Sequence, residues 1–245
     1  MKFFARSIFL TLAFSCFAAD GADEVKESPS IVRLSIEWIE MSSSDATALL
    51  RTPRTTTNDA DLRDKVDEMI DAEKAHIYES KVVTTHLGAP SRVESIREEI
   101  YPTSYDPPEL PSEVNIYADG TTTPSAGSLR TTGPSATAFE TRNTGVTVEI
   151  DPVYNANEKT FRLNMSAEIV NLVDQNKFAS YEDDRMTSDI AAPIFYTNRM
   201  KTTLIVKPGE YLLATTMTPF GEDGQPDRTK RLVVFVRAEL LKVGY

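Results

Sequence analysis

The sequence predicts an α+β fold: a mixed or antiparallel β-sheet domain with one packed amphipathic helix and long loops. Residues 161–169 are apolar at every second position, which is typical of a strand with one buried and one solvated face. Residues 59–75 instead place apolar side chains three and four positions apart, which predicts a helix with one packed face. Six prolines between positions 102 and 134 predict a long loop or hairpin insertion at residues 102–139.

The first 19 residues have the pattern of a secretory signal peptide. Lys2 and Arg6 precede an apolar run at residues 8–17, which is shorter than the ~20 residues that a membrane-spanning helix needs. Residues 20–30 are expected to be a flexible leader, and residues 31–245 the β-rich domain. Cys16 is the only cysteine, so its removal with the signal predicts a chain without thiols or disulfides. Lipidation of Cys16 is the alternative, although the bulky Phe14 precedes it where small residues are usual.

The charge of the chain excludes one class of partner. The formal net charge is −11, and removal of Lys2 and Arg6 with the signal changes it to −13. Nucleic-acid binding needs a basic face that replaces phosphate counterions, so we expect no nucleic-acid partner. A soluble acidic surface in the cell envelope explains this charge better than an acidic binding patch does.

The first half of the domain combines strands with helix. Trp38 lies on the apolar side of the first predicted strand, which indicates a core position. A short helical turn is expected at residues 46–50, and Arg63 is expected on the solvated, charged side of the helix that follows. The strands are expected, in chain order, near residues 32–40, 77–87, 92–100, 145–151, 160–171, 194–207, 210–218 and 231–242.

Three connections complete the predicted second half. Residues 173–192 are polar and are expected to form a loop. Pro208 and Gly209 predict a tight turn, because proline presets φ and glycine accepts positive φ. Residues 221–226 are expected to form a longer hairpin tip before the last strand.

No group of residues predicts catalysis. His76 and His86 lack a third metal ligand nearby, and residues 181–185 lack the spaced oxygen ligands of a calcium loop. No serine lies in a Gly-x-Ser-x-Gly motif. The adjacent Glu98 and Glu99 point to opposite faces of a strand. We therefore predict no catalytic, cofactor-binding or metal residue, no cofactor, no small-molecule substrate and no enzymatic activity.

Several segments, read in order, resemble the core domain of bacterial secretins, the ring-forming channels of the outer membrane. The clearest is Thr144-Gly-Val-Thr-Val-Glu-Ile-Asp-Pro152, which is similar to the family's strand of alternating hydrophobic residues between a Gly and a Pro. The others are Val32-Arg-Leu-Ser-Ile-Glu-Trp-Ile-Glu40, the helix at 59–75, Lys81-Val-Val-Thr-Thr-His-Leu-Gly-Ala-Pro-Ser-Arg-Val93, Asn198-Arg-Met-Lys-Thr-Thr-Leu-Ile-Val-Lys-Pro-Gly-Glu210 and Arg231-Leu-Val-Val-Phe-Val-Arg237. The resemblance covers residues 31–242.

The resemblance implies a structural envelope protein of the periplasm or outer membrane, serving a type II or III secretion or type IV pilus machine. It implies a homo-oligomer, or contacts with other secretion or pilus components, through a sheet that contains Val146, Val148, Ile150, Leu204 and Val206. Two family features are absent: the Gly-Gly pair, where Leu212-Leu-Ala-Thr-Thr216 stands, and the Pro-x-Leu-Gly-x-Ile-Pro segment. These departures favour an alternative, a monomeric periplasmic binding or adaptor protein that keeps the β-core and forms no pore.

Overall fold

The computed structural model describes residues 31–51, 53–54, 56–107, 114–116, 122–124, 133–182 and 187–241. Two helices and ten strands are assigned within those ranges. In chain order they are β1 (Ile31–Ser42), α1 (Ser43–Leu50), α2 (Ala60–Asp71), β2 (Ala75–His86), β3 (Ser91–Asp106), β4 (Val114–Ile116), β5 (Thr122–Pro124), β6 (Ser135–Asn155), β7 (Thr160–Glu182), β8 (Thr187–Val206), β9 (Tyr211–Met217) and β10 (Lys230–Leu241).

Two antiparallel sheets and a helical layer make up the fold. The first sheet has the strand order β2-β1-β10-β9, and the second has the order β3-β6-β7-β8. Strands β4 and β5 form a separate two-stranded hairpin. The sheets pack face to face, and α1 and α2 cover the other face of the first sheet. This architecture confirms the predicted α+β class.

Strand β1 contributes to both cores because its successive side chains point to opposite faces of the first sheet. Val32 to Trp38 bury every second side chain between the two sheets. Ile39 and Met41 point to the opposite face and pack beneath the helices, and the pairing of β1 with β10 stays in register throughout. The register shift opposite Trp38 and Ile39 lies in β2, where Tyr78 is the extra residue of a bulge.

Helix α2 occurs where the periodicity predicts it, but the expectation that Arg63 is solvated is wrong. The Arg63 side chain is only 7% exposed. Its Nε donates to Glu37 of β1 at 2.8 Å and its Nη1 to Asp67 at 2.5 Å. Burial lowers the pKa of Arg63, but hydrogen bonds and charge attraction from these carboxylates more than offset it and raise the pKa overall. The buried pair thus ties the helix to the first sheet.

The strands of the second sheet are longer than predicted. Residues 173–192 were expected to form a loop, and this is wrong: β7 continues to Glu182 and β8 starts at Thr187. Strand β3 likewise extends to Asp106, and β6 already begins at Ser135. Most of residues 107–134 lies outside the described residues.

Both predicted turns are present. Glu210 N donates to Lys207 O at 3.2 Å around Pro208 and Gly209, where Gly209 has φ +82°. This turn leads from β8 in the second sheet to β9 in the first. The hairpin tip between β9 and β10 is closed by a bridge from Phe220 to Pro226. No described helix is long and apolar enough to cross a membrane.

Candidate assembly surface

The edge of the first sheet at β9 is covered by the residue that precedes α2. Asp59 N donates to Tyr211 O at 2.8 Å, and Leu213 N donates to the Asp59 carboxylate at 2.7 Å. Arg54 forms an ion pair with the same carboxylate, which is almost fully buried. These bonds occupy backbone groups that another strand would need for pairing, so this edge is closed.

Strand β2, at the other edge of the first sheet, is protected differently. The bulge opposite Trp38 and Ile39 interrupts its register next to Tyr78. Immediately afterwards, Lys81 Nζ lies 3.1 Å from Glu79 Oε1, and Ser80 N donates to the same carboxylate oxygen. Bulges and charged side chains are common devices that discourage edge-to-edge pairing.

The edges of the second sheet have long regular segments. The register of β3 is unbroken over residues 91–101, and that of β8 over residues 195–206. Within the described part of the chain, β3 forms its ladder only with β6, and β8 only with β7. Each edge therefore presents a row of backbone donors and acceptors that can serve as a template for another strand.

The outer face of the second sheet, which points away from the first sheet, is charged. Arg92 lies 2.5 Å from Glu94 and 3.5 Å from Glu149. Across the sheet, Arg199 donates to Glu168 at 2.7 Å, which raises the pKa of Arg199. A shallow groove of about 780 Å³ follows this face between Arg92 and Lys201. Opposite charges alternate along it, so it does not select one sign of ligand.

The second sheet divides at Gly145. Pairing between β6 and β7 runs from Asn155 to Gly145 and ends there. Beyond this point residues 97–106 of β3 pair with residues 135–144 of β6, and we call this hairpin the first arm. Residues 171–182 of β7 pair with residues 187–196 of β8, and this hairpin is the second arm.

Gly145 makes the division sterically feasible. Its φ is +108°, which non-glycine residues rarely adopt, and an added Cβ would lie 2.2 Å from Ser95 O. The base of the second arm is held nearby, because Tyr196 Oη donates to Thr218 O at 2.9 Å and its ring contacts Phe220. The backbone positions from which the two arms extend are therefore fixed by these contacts.

The two arms contact each other through side chains. The rings of Tyr101 and Phe195 are 5.8 Å apart, and the guanidinium of Arg142 lies 4.9 Å from the Phe195 ring centroid. Arg142 Nη2 also donates to Thr197 Oγ1 at 3.1 Å. Nearer the tips, Tyr105 Oη lies 3.2 Å from Ala191 O and 3.4 Å from Ala191 N.

The residues expected to carry assembly all lie in the second sheet. Val146, Val148 and Ile150 of β6 and Val206 of β8 are buried against the first sheet, and Leu204 packs against them. The edges themselves and the Gly145 division were not foreseen. Residue 145 belongs to the strongest sequence motif, but a pattern of residue types does not report the sign of φ.

The histidines are not brought together. His76 and His86 lie at opposite ends of β2, where they pair with Glu40 and Ile31. Ten residues of extended strand separate them by roughly 33 Å. His76 lies 3.8 Å from Glu40 Oε1, and Lys230 donates to the same oxygen at 2.8 Å, which raises the pKa of Lys230. In the described ranges no three His, Cys, Asp or Glu residues are grouped as metal ligands.

Several secretins are among the known structures that are similar to this chain. No family model and no curated protein sequence matches the chain. The secretin domain of InvG from the Salmonella SPI-1 injectisome is 11% identical with a TM-score of 0.40, and the match covers 88% of this chain and 64% of that one. Aeromonas hydrophila ExeD is 10% identical, with a TM-score of 0.42 and coverages of 88% and 49%. The type II secretin GspD from enteropathogenic Escherichia coli is 11% identical, with a TM-score of 0.37 and coverages of 87% and 68%.

These values concern the fold alone. The chain spans less than two thirds of the InvG domain and about half of ExeD.

Proposed function

We propose that this protein is a structural, non-enzymatic envelope protein of secretin type, which assembles through the edges of its second sheet. The observation that carries the proposal is the contrast between the two sheets. Asp59 closes one edge of the first sheet and a bulge with charges protects the other, whereas β3 and β8 expose long regular edges. Exposed regular edges are otherwise a liability, so their retention supports a role in strand pairing.

The direction of the strands suits head-to-tail assembly. Neighbouring strands of the second sheet are all antiparallel, so β3 and β8 run in opposite directions. The β8 strand of one copy can therefore pair with β3 of the next copy and continue the antiparallel pattern. Such a heterologous contact forms a ring when the rotation between copies closes.

Charges on the two edges are complementary. On β8, Arg199 is paired with Glu168, which leaves Lys201. The regular segment of β3 contains Arg92 and Arg97 besides its glutamates, but Arg92 is paired with Glu94 and Arg97 with Glu99, which leaves Glu98. Lys201 and Glu98 are both exposed, and neither makes an ion pair within the described residues. We place these two side chains opposite each other across the interface between copies, where Lys201 of one copy forms an ion pair with Glu98 of the next.

A charge exchange tests this arrangement on the purified exported domain. The unmodified protein is expected to form multimers in analytical ultracentrifugation. Lys201→Glu and Glu98→Lys should each raise the concentration at half-assembly about five-fold, because each replaces an exposed ion pair by two like charges. The double variant Lys201→Glu/Glu98→Lys should restore assembly. Arg162→Glu is the matched control, because exposed Arg162 lies on the interior strand β7.

Two outcomes contradict the proposal in different ways. A protein that stays monomeric at every concentration has no assembly function of this kind. A multimer that is unaffected by both single variants uses another surface. The first outcome favours the second candidate, a monomeric periplasmic binding or adaptor protein, which the unusual Leu212-Leu-Ala-Thr-Thr216 strand also supports.

We further propose that the protein is exported by the signal at residues 1–19 and acts in the periplasm or at the outer membrane. Its partners would be further copies of itself or other components of a secretion or type IV pilus machine. Fractionation of cells producing the full-length chain tests the location. Recovery of the unprocessed protein in the cytoplasm would contradict it.

A further inference from the structure

In the single chain, Tyr105 occupies part of the β8 edge. Its hydroxyl lies within hydrogen-bond distance of both the N–H and the C=O of Ala191. In an antiparallel strand the N–H and C=O of one residue point to the same side. Those of Ala191 point toward Tyr105 and away from β7. The Tyr105 side chain therefore fills a position that the backbone of a neighbouring strand would fill.

A second contact closes the arms nearer to their base. Phe195 of β8 is contacted by the Tyr101 ring and by the Arg142 guanidinium, both of the first arm. Arg142 also reaches Thr197, and Ser188 Oγ donates to Pro134 O at 2.8 Å beyond Tyr105. The distal parts of the two edges thus face each other within one chain.

The closed arrangement has little apolar packing. A gap of about 420 Å³ remains between the arms, lined by Ile100 and Leu172 as well as by Lys177, Gln175 and Asp189. Large apolar side chains of the arms stay accessible in this arrangement: Ile100 is 68% exposed, and Phe178 66%. The arms are held by a few side-chain contacts without a backbone ladder, so they can separate without disturbing the buried cores.

We propose that the two arms form an intramolecular clasp, in which Tyr105 and the contacts around Phe195 hold the chain in a closed form that cannot pair its distal edges with another copy. Assembly requires the clasp to open at the Gly145 division. This inference rests on the proposed function, because it concerns the same β3 and β8 edges. It adds that opening the clasp costs free energy, so the newly exported chain stays monomeric until the arms leave each other and pair with another copy.

Loosening the clasp should promote assembly. Tyr105→Phe keeps the ring but removes the hydroxyl, which frees the polar groups of Ala191. The concentration at half-assembly should fall about three- to ten-fold, as expected for loss of the two long hydrogen bonds between this hydroxyl and Ala191. Tyr101→Phe is the matched control, because it removes a hydroxyl that bonds Glu140 within the first arm. Unchanged or weaker assembly of Tyr105→Phe contradicts the clasp.

Locking the clasp should prevent assembly. In a Cys16→Ser background, Tyr105→Cys/Ala191→Cys is joined by a short bismaleimide, which links the two arms. The control joins Asn176→Cys to Ala192→Cys, which are paired positions within the second arm. The locked protein should remain monomeric while the control assembles. Normal assembly of the locked protein overturns the inference.

Amide exchange separates this inference from the proposed function, because it needs no assembly. In the monomer, the Ala191 amide should exchange about three- to ten-fold faster in Tyr105→Phe than in the unmodified chain. An unchanged rate refutes the clasp whether or not the protein assembles. Faster exchange in a protein that never assembles supports the clasp and refutes the assembly function.

Discussion

Replacing Gly145 by Ala should be among the most damaging single-methyl changes in this protein. The residue lies where β6 parts from β7, and its φ of +108° belongs to a region that side chains disfavour. The added Cβ would also lie 2.2 Å from Ser95 O and 3.1 Å from Ile96 Cα. Both neighbours are backbone atoms of β3, so neither can rotate away.

The expected magnitude has two parts. Holding a non-glycine residue in a disfavoured backbone region costs about 1–3 kcal/mol. Forcing β3 to move adds about 1–3 kcal/mol, as for other overpacked sites. Gly209→Ala provides the control, because Gly209 has φ +82° but nothing lies within 4 Å of its added Cβ. The control therefore reports conformational strain alone, about 1–2 kcal/mol.

Equilibrium unfolding in urea measures the difference. Trp38 is the only tryptophan and is 1% exposed, so its fluorescence reports loss of the core between the sheets. The midpoint for Gly145→Ala should fall well below that for Gly209→Ala at an unchanged slope. If the two variants agree within about 0.5 kcal/mol, the clash with β3 is not real and the account of the division is refuted.

Three further results are expected. Arg63→Ala should lower the free energy of unfolding by about 3 kcal/mol because it breaks a buried ion pair, whereas Asp67→Asn at its exposed partner should cost under about 1 kcal/mol; urea unfolding measures both. Asp59→Ala should cost about 2 kcal/mol and speed amide exchange along β9, because it leaves a backbone donor unpaired. The pKa of Lys230 is raised by its hydrogen bond to Glu40, and the pKa of Tyr78 is raised by burial. Because both groups hold their protons more tightly in the folded state, their contribution to stability is complete below a pH of about 10 and is lost at higher pH. The melting temperature should therefore fall as the pH is raised from 8 to 12.

The sequence predicts the parts of the fold that have one buried face. Strand β7 alternates clearly over residues 161–169 because Phe161, Leu163, Met165, Ala167 and Ile169 all face the first sheet. Helix α2 is equally readable, since Leu62 and Val66 lie on its packed side. Where burial is periodic, the apolar pattern and the structure carry the same information.

The arms lack that signal. Residues 172–182 of β7 are largely exposed, so no buried face imposes alternation and the segment resembles a loop. Its strand character comes from pairing with β8, which a single chain segment does not display. The protection of β9 is hidden for a related reason: Asp59 and Leu213 meet across more than 150 positions of sequence, and an N-terminal helix residue is ordinarily read as a cap.

The same contrast determines where assembly can change the molecule. In the part of the second sheet where β6 pairs with β7, side chains buried against the first sheet fix the position of each strand. Pairing between copies cannot change the strand positions there. In the arms, on the other side of Gly145, no such core fixes the strands, and the arms contact each other through polar groups, a tilted pair of aromatic rings and a guanidinium over one of those rings. A transition from one chain to an assembly can therefore replace side-chain contacts between the arms by a backbone ladder between copies while the cores stay intact. Variants of the buried core should therefore change the free energy of unfolding but not the concentration at half-assembly. Variants of Tyr105 should change the concentration at half-assembly but not the free energy of unfolding.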